Sequence, residues 1–213
     1  MVYTHCIWDF NGTILDDVDL GIYCVNILLR ARGLDEIPSK EVYRQKFDFP
    51  VIDYYKAVGF DFSAEPYEKV AKEWVALYQS NGELSHLCDG VLDVLDYFKE
   101  NQIEQSIISA SEKAMLTQQI ADLKVDSYFA QILGIDNIYA GSKLALAKIW
   151  REGHPDARPL FIGDTVHDVE TARLLGADCF IVCSGHQCRE RFEGLDARVF
   201  ENHAELLEYL RKN

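Results

Sequence analysis

The stretch "CIWDFNGTILDD", residues 6–17, decides the reading of this chain. An apolar run ends on Asp9, the turn Asn11-Gly12-Thr13 follows, and Asp16 and Asp17 come next. In open α/β sheets ligands bind beyond the carboxyl ends of the strands, so a strand that ends on a carboxylate puts that group where chemistry happens. Asp9 is placed in this way. Asn11 stands where a second acid would suit the same chemistry, and it is an amide.

Outward from this stretch, residues 2–8 read as a buried strand. Between 16 and 86 no strand pattern stands out. Leu20, Tyr23, Cys24, Ile27 and Leu28 recur at helical spacing and stop at Gly33. Pro38, Pro50, Gly59 and Pro66 punctuate the rest, and "EPYEKVAKEWVALYQSNG" reads as one helix ending at Gly82. From Gly90 onward helices and strands alternate. Strands are expected at 104–109, 131–134, 159–163 and 179–183, with a weak one at "ARVF", 197–200. Helices are expected at 90–100, 112–123, 142–152, 167–175 and 203–211. This alternation predicts an α/β fold, a doubly wound parallel sheet of the Rossmann-like kind. The all-helical block interrupts it directly after the Asp9 turn. The expected division is a catalytic core of residues 1–15 and 87–213 and an inserted helical cap domain of residues 16–86.

The chain has 213 residues, 48% hydrophobic and 26% charged, with a formal net charge of −14. It is long enough to bury a real core. Nucleic acid and anionic lipid both need clustered Lys and Arg, so the acidic balance argues against either partner. The N-terminus lacks a basic region followed by a long apolar run, and no apolar run reaches the roughly 18 residues of a membrane helix. The six cysteines form no C-x-x-C pair. Free thiols in a reducing cytoplasm are the expected state. Cys183, His186 and Cys188 fit no compact zinc spacing.

Four polar clusters carry the functional reading: Asp9 to Thr13; Ser109-Ala110-Ser111; Gly141-Ser142-Lys143; and Gly163-Asp164-Thr165 with Asp168. The third lies at a helix start, and the others follow strand ends. Each has a plain explanation when taken singly. Ser111 or Ser142 caps a helix, Asp168 serves a helix dipole, and Lys143 is solvated. Together they make one site. Asp9, Asp164 and Asp168 converge from two strand ends and would repel one another without a hard divalent cation, and oxygen ligands suit Mg2+. Lys143 and the Ser109 hydroxyl add positive charge and a donor. The set describes a cradle for a phosphoryl group, in which a carboxylate can attack phosphorus to give an aspartyl-phosphate.

At these residues the chain resembles the haloacid dehalogenase superfamily, and within it the phosphatases with a helical cap after the first motif. That motif, D-x-D-G-T, stands here as Asp9-Phe10-Asn11-Gly12-Thr13. The strand-closing Ser/Thr is Ser109, the lysine is Lys143, and G-D-x-x-x-D is Gly163 to Asp168. The run "FIGDTVHDVETARLLGA", 161–177, is similar to the phosphoglycolate-phosphatase-like branch. The resemblance implies a Mg2+-dependent phosphatase acting on a small phosphorylated metabolite. It implies Asp9 as nucleophile and metal ligand, and the Asn11 backbone carbonyl, Asp164 and Asp168 as the rest of the metal site. Ser109 and Lys143 would grip the phosphoryl oxygens, so the substrate-binding set becomes Thr13, Ser109, Ala110 and Lys143.

Asn11 is the departure. The family's phosphatases carry there an Asp that protonates the leaving alcohol and later activates water. An amide does neither, and such proton transfer is typically worth about 10²–10⁴ in rate. Three readings stand: a phosphatase that is slow or restricted to good leaving groups, a metal-free 2-haloacid dehalogenase, and a regulatory protein that keeps the fold without turnover. Asp16 and Asp17 are expected to cap the first cap helix, and His167 to be a partly exposed helix-start residue. Arg44, Lys46 and Lys56 are candidates for gripping an anionic substrate from the cap. The stretch "FDFPVIDYY", 47–55, is expected to serve packing between cap helices.

Overall fold

The computed structural model describes residues 3–139 and 142–213. Six parallel strands form the central sheet: β1 (His5–Trp8), β4 (Glu104–Glu112), β5 (Gln131–Ile135), β6 (Pro159–Gly163), β7 (Asp178–Val182) and β8 (Arg198–Phe200). Their order is β5-β4-β1-β6-β7-β8, and every neighbouring pair is parallel. The chain leaves β1 for one side of the sheet and returns to its other side at β6. The carboxyl ends of β1, β4 and β6 therefore meet where the strand order reverses, which is where such sheets bind ligands.

Alternation along the strands explains why both faces are covered. Cys6 and Trp8, Leu160 and Ile162, and Phe180 and Val182 point into one core. They pack there against α5 (Val91–Glu100), α6 (Lys113–Asp122) and α9 (His203–Lys212). Ile7, Phe161 and Ile181 point into the other, against α7 (Leu144–Gly153) and α8 (Val166–Leu175). A period of two puts successive side chains on opposite faces, and parallel sheets survive by burying both.

Four helices, α1 (Val18–Ala31), α2 (Lys40–Lys46), α3 (Val51–Ala57) and α4 (Tyr67–Ser80), occupy the stretch expected to be helical. They enclose a core of their own built on Val25, Leu29, Tyr43, Tyr54, Tyr55 and Val70. Gly33 ends α1 at φ +68°, and Leu34 N–H returns to the Leu29 carbonyl, a left-handed helix stop that glycine enters at no steric cost. Two short strands were not anticipated. β2 (Leu15–Asp16) and β3 (His86–Leu87) pair antiparallel and tie together the two crossings between helical block and sheet. Two residues carry no periodicity to read, so such a clasp is invisible in sequence. β4 also runs on past residue 109, with a register shift between Ile108 and Glu112. Ser109, Ala110 and Ser111 sit in that irregular stretch, where a bulge re-aims side chains.

His203 opens α9, 1% exposed, with its ring 6.4 Å from that of Trp8 and its Nε2 without a partner among the described residues. Burial holds its pKa down to about 4. A base depressed in the folded state stays neutral there while the unfolded chain protonates near 6.5. Its contribution is present above that value and lost as pH falls toward 4. We expect the fall in unfolding free energy between pH 7 and pH 5 to shrink by about 2 kcal/mol in His203→Gln. Urea unfolding at the two pH values measures it, and an unchanged difference would place the titration elsewhere.

Candidate active site

Asp9 follows β1 directly, and its N–H is fixed to the Ile162 carbonyl at 2.8 Å. Asp164 and Asp168 follow β6, in the turn into α8 and in its first turn. Lys143 lies just before α7. All four side chains are buried. Lys143 Nζ sits 2.5 Å from Asp9 Oδ1 and 2.6 Å from Asp168 Oδ1. Asp168 Oδ2 accepts from Asp164 N–H (3.0 Å), Thr165 N–H (2.8 Å) and Thr165 Oγ1 (2.7 Å). It thereby caps α8 and anchors the lysine at once. Asp164 accepts from Thr13 Oγ1 at 3.1 Å and from His186 N–H at 2.6 Å.

Gly12 makes this packing possible. Its φ of +73° favours glycine, and a Cβ there would collide with the Asp164 carboxylate and the His186 ring. Ser109 is buried and its hydroxyl accepts from Ser111 N–H at 3.1 Å. Asp9, Asn11, Ser109 and Ala110 line one cleft between sheet and helical block. Thr13 lies beneath it, against Asp164. Gly141 falls outside the described residues.

The charges do not balance. Burial raises the pKa of Asp9, opposed by Lys143 and reinforced by Asp168. Burial raises Asp164 too, opposed by His186 and reinforced by Asp168 and Asp9. Asp168 is held low despite its burial, because Lys143 and the Thr165 bonds outweigh it. Burial would lower Lys143, but Asp168 and Asp9 hold it above its ordinary value. Among the described residues, Asp9, Asp164 and Asp168 form one of two groups with ligand atoms within 4.8 Å of one another, and this group could hold a metal ion. The other, His5, Glu104 and His154, lies at the opposite end of β1, and Cys183, His186 and Cys188 form no such group.

Beside these acids lies a second buried set that sequence reasoning misassigned. Asp17 occupies the N-cap position of α1, but its side chain makes no capping bond to the helix. Instead Oδ1 accepts from Gly12 N–H (3.0 Å) and pairs with His186 Nε2 (3.1 Å). Oδ2 accepts from Asn11 Nδ2 (2.8 Å) and Tyr78 Oη (2.7 Å). Burial would raise Asp17, yet His186 and these bonds hold it below the ordinary range. Burial would lower His186, yet Asp17 and Asp164 push it up to about 9. Nothing near Gly185-His186 marks it in sequence, because its partner lies 169 positions away.

Asn11 is locked by this set. Its Oδ1 accepts from Ser111 Oγ at 2.7 Å, and its Nδ2 donates to Asp17 and, at 3.0 Å, to Tyr78 Oη. An acid at position 11 would face the Asp17 carboxylate, so the amide fits its neighbour.

Other expectations are corrected. His167 is buried rather than partly exposed. It accepts from Lys143 N–H at 3.4 Å and stacks on Phe49 at 5.1 Å between ring centroids. Arg44 points to the Ser184 and Gly185 carbonyls, Lys46 to the Ala57 carbonyl and Lys56 to Asp53, so none of these candidates lines the cleft. The 47–55 stretch does more than pack helices, since Phe47, Phe49, Val51, Tyr54 and Tyr55 line the cleft.

Comparison with known proteins agrees with this architecture. A haloacid dehalogenase-like hydrolase profile matches residues 6–182. Phosphoglycolate phosphatase of Pseudomonas fluorescens is 25% identical over 187 residues, covering 84% of this chain and 69% of that protein. Phosphoglycolate phosphatase 1 of Pseudomonas aeruginosa is 24% identical over the same coverage. A haloacid dehalogenase-like family hydrolase of Streptococcus pneumoniae superposes with a TM-score of 0.81 over 98% of each chain at 17% identity. A hydrolase of Pseudomonas syringae does so at 0.73, with 21% identity over 98% of each chain. The chain belongs to the haloacid dehalogenase-like hydrolases.

Proposed function

We propose that this protein is a Mg2+-dependent phosphatase that works through an aspartyl-phosphate on Asp9. The observation that supports it is the charge imbalance at the strand ends. Four buried carboxylates, Asp9, Asp17, Asp164 and Asp168, face one ammonium and one imidazolium. With all four carboxylates ionised, as a bound cation would favour, two negative charges are left over, the charge of one divalent cation. An all-oxygen donor set suits Mg2+. In this reading residues 16–86 act as a cap domain over a core of 1–15 and 87–213.

Asp9, Asp164 and the Asn11 carbonyl would hold the cation. Asp168, with Oδ2 already taken by three donors and Oδ1 by Lys143, would act through water and through the lysine. Bound there, Mg2+ would draw charge from the transferring phosphoryl oxygens and neutralise the carboxylates. Asp9 attacks phosphorus. Lys143 orients Asp9 and, with Ser109, holds phosphoryl oxygens. Thr13 keeps Asp164 in place. The Pseudomonas relatives are phosphoglycolate phosphatases, which offers phosphoglycolate as one substrate. The metal-free dehalogenase reading leaves Asp164 without a task.

Wild-type protein in Mg2+ at about 100 times its dissociation constant should gain about 3 kcal/mol, or roughly 5–10 °C in melting midpoint. Asp164→Ala should show no such shift. A wild type indifferent to millimolar Mg2+ overturns the metal site. Asp9→Asn should stay folded, lose turnover on an aryl phosphate at least about 10³-fold, and fail to bind beryllium fluoride in the presence of Mg2+. Retained activity would remove Asp9 from the mechanism.

Replacing Asn11 tests its role beside Asp17. Asn11→Asp sets a carboxyl against the Asp17 carboxylate and removes a donor to a buried charge. It should cost about 1.5–3 kcal/mol, and Asp17→Asn added to it should recover most of that loss. Denaturant unfolding of both single variants and the double variant gives the coupling. Strict additivity would mean that the two side chains do not interact.

A further inference from the structure

Resting on the phosphatase reading above, we propose that the substrate is a phosphate monoester of an apolar aromatic alcohol, a phenol-type leaving group, rather than a phosphorylated hydroxy acid. Two independent features converge on it: the lining of the cleft and the bonding of Asn11.

The cleft beyond Asp9 has a cavity volume of about 120 Å³. The helical block contributes an aromatic wall that includes Phe47, Phe49, Tyr55, Tyr67, Trp74 and Tyr78. Among the described residues, no Lys or Arg lines it. Its charged lining is Asp9, Asp17, Glu112 and His186, and the imidazole is tied on both sides, to Asp17 and to Tyr43 Oη at 2.8 Å. Three cations of the helical block are held elsewhere: Arg32 by Glu65 and Glu73, Arg44 by two carbonyls, Lys40 by Asp19. A substrate carboxylate would enter a low-dielectric wall with acids and no counter-ion, which is costly. An aromatic ring fits the same wall. Tyr54, 3% exposed, lines it too, and its buried hydroxyl has no partner among the described residues.

The second feature is chemical. Asn11 cannot protonate a leaving group, and each of its amide atoms already has a partner. A phenol, like tyrosine, ionises near pH 10, far below an aliphatic alcohol, so it departs as phenolate without help. As an Asp9 carboxylate oxygen bonds to phosphorus, the phosphorus–aryl oxygen bond breaks. Its electron pair leaves on the phenolate, which takes a proton from solvent. Water then attacks phosphorus, the bond to Asp9 breaks with its pair returning to the carboxylate, and the surplus water proton goes to solvent. One water is consumed and phosphate is released.

The test compares four substrates on wild-type protein with Mg2+. These are phenyl phosphate, cyclohexyl phosphate of similar shape, 2-phosphoglycolate, and acetyl phosphate, whose leaving group is good but small. The expected kcat/KM for phenyl phosphate exceeds that for cyclohexyl phosphate by at least about 10², the lower end of what a missing general acid costs. It exceeds that for 2-phosphoglycolate by more. By calorimetry, uncleavable benzylphosphonate should bind at least about tenfold more tightly than phosphonoacetate. Equal rates on phenyl and cyclohexyl phosphate, or a preference for phosphoglycolate or phosphonoacetate, overturn the substrate class. Turnover of acetyl phosphate without turnover of phenyl phosphate also overturns it, and leaves the phosphatase reading intact. No turnover of any of the four defeats both.

Discussion

Lys143 holds the site together. One buried ammonium bridges Asp9, at the end of β1, and Asp168, in the first turn of α8. Two carboxylates on different elements could not otherwise share a dry volume, because a buried charge must be paired. Through Asp168 the same lysine is linked to the cap of α8, since Oδ2 accepts from Thr165 as Oδ1 meets the ammonium. Helix geometry, strand-end geometry and the aim of Asp9 are thus one arrangement. It leaves Asp164 raised by burial and by its acidic neighbours. The fold tolerates that shortage of positive charge, and the proposed Mg2+ would make it good.

Asn11 belongs to a second arrangement beside the first. Asp17 collects Gly12, Asn11, Tyr78 and His186 around one carboxylate, and Ser111 closes the ring by donating to Asn11. It joins β1, β4, α1, α4 and the loop after β7. An isolated carboxylate there would be untenable, and each donor offsets part of its desolvation. In this light the amide at position 11 is a donor chosen for Asp17. In the proposed reaction residue 11 then has no proton to transfer, which would favour leaving groups that need none.

Much of this was legible before any coordinates. Strands that alternate apolar residues for two faces, such as 159–163, came out with their observed bounds, because burial on both sides writes itself into the sequence. Asp9, Lys143 and Asp164 lie at strand ends or helix starts, Ser109 lies in the irregular stretch of β4, and the fold brings them together. Asp17 and His186 were not legible, since a buried pair 169 positions apart leaves no local pattern. Asp17 also mimicked a helix cap by position. The candidates Arg44, Lys46 and Lys56 failed for a related reason: a basic side chain on an amphipathic helix gives no sign of which partner it will find. The aromatic residues of 47–55 read as core because core and cleft wall have the same composition.

The central claim is that Asp9 becomes phosphorylated in a site where residue 11, an amide, cannot move a proton. Rapid quench of stoichiometric protein with phenyl phosphate and Mg2+, followed by peptide mapping, tests it most directly. Because Asn11 cannot activate water, hydrolysis of the phosphoenzyme should lag behind its formation. Phenol should appear in a burst approaching one equivalent per chain, with a hydroxylamine-labile phosphate on the peptide that contains Asp9. Steady turnover with no burst and no label, or a label on another residue, would contradict the account.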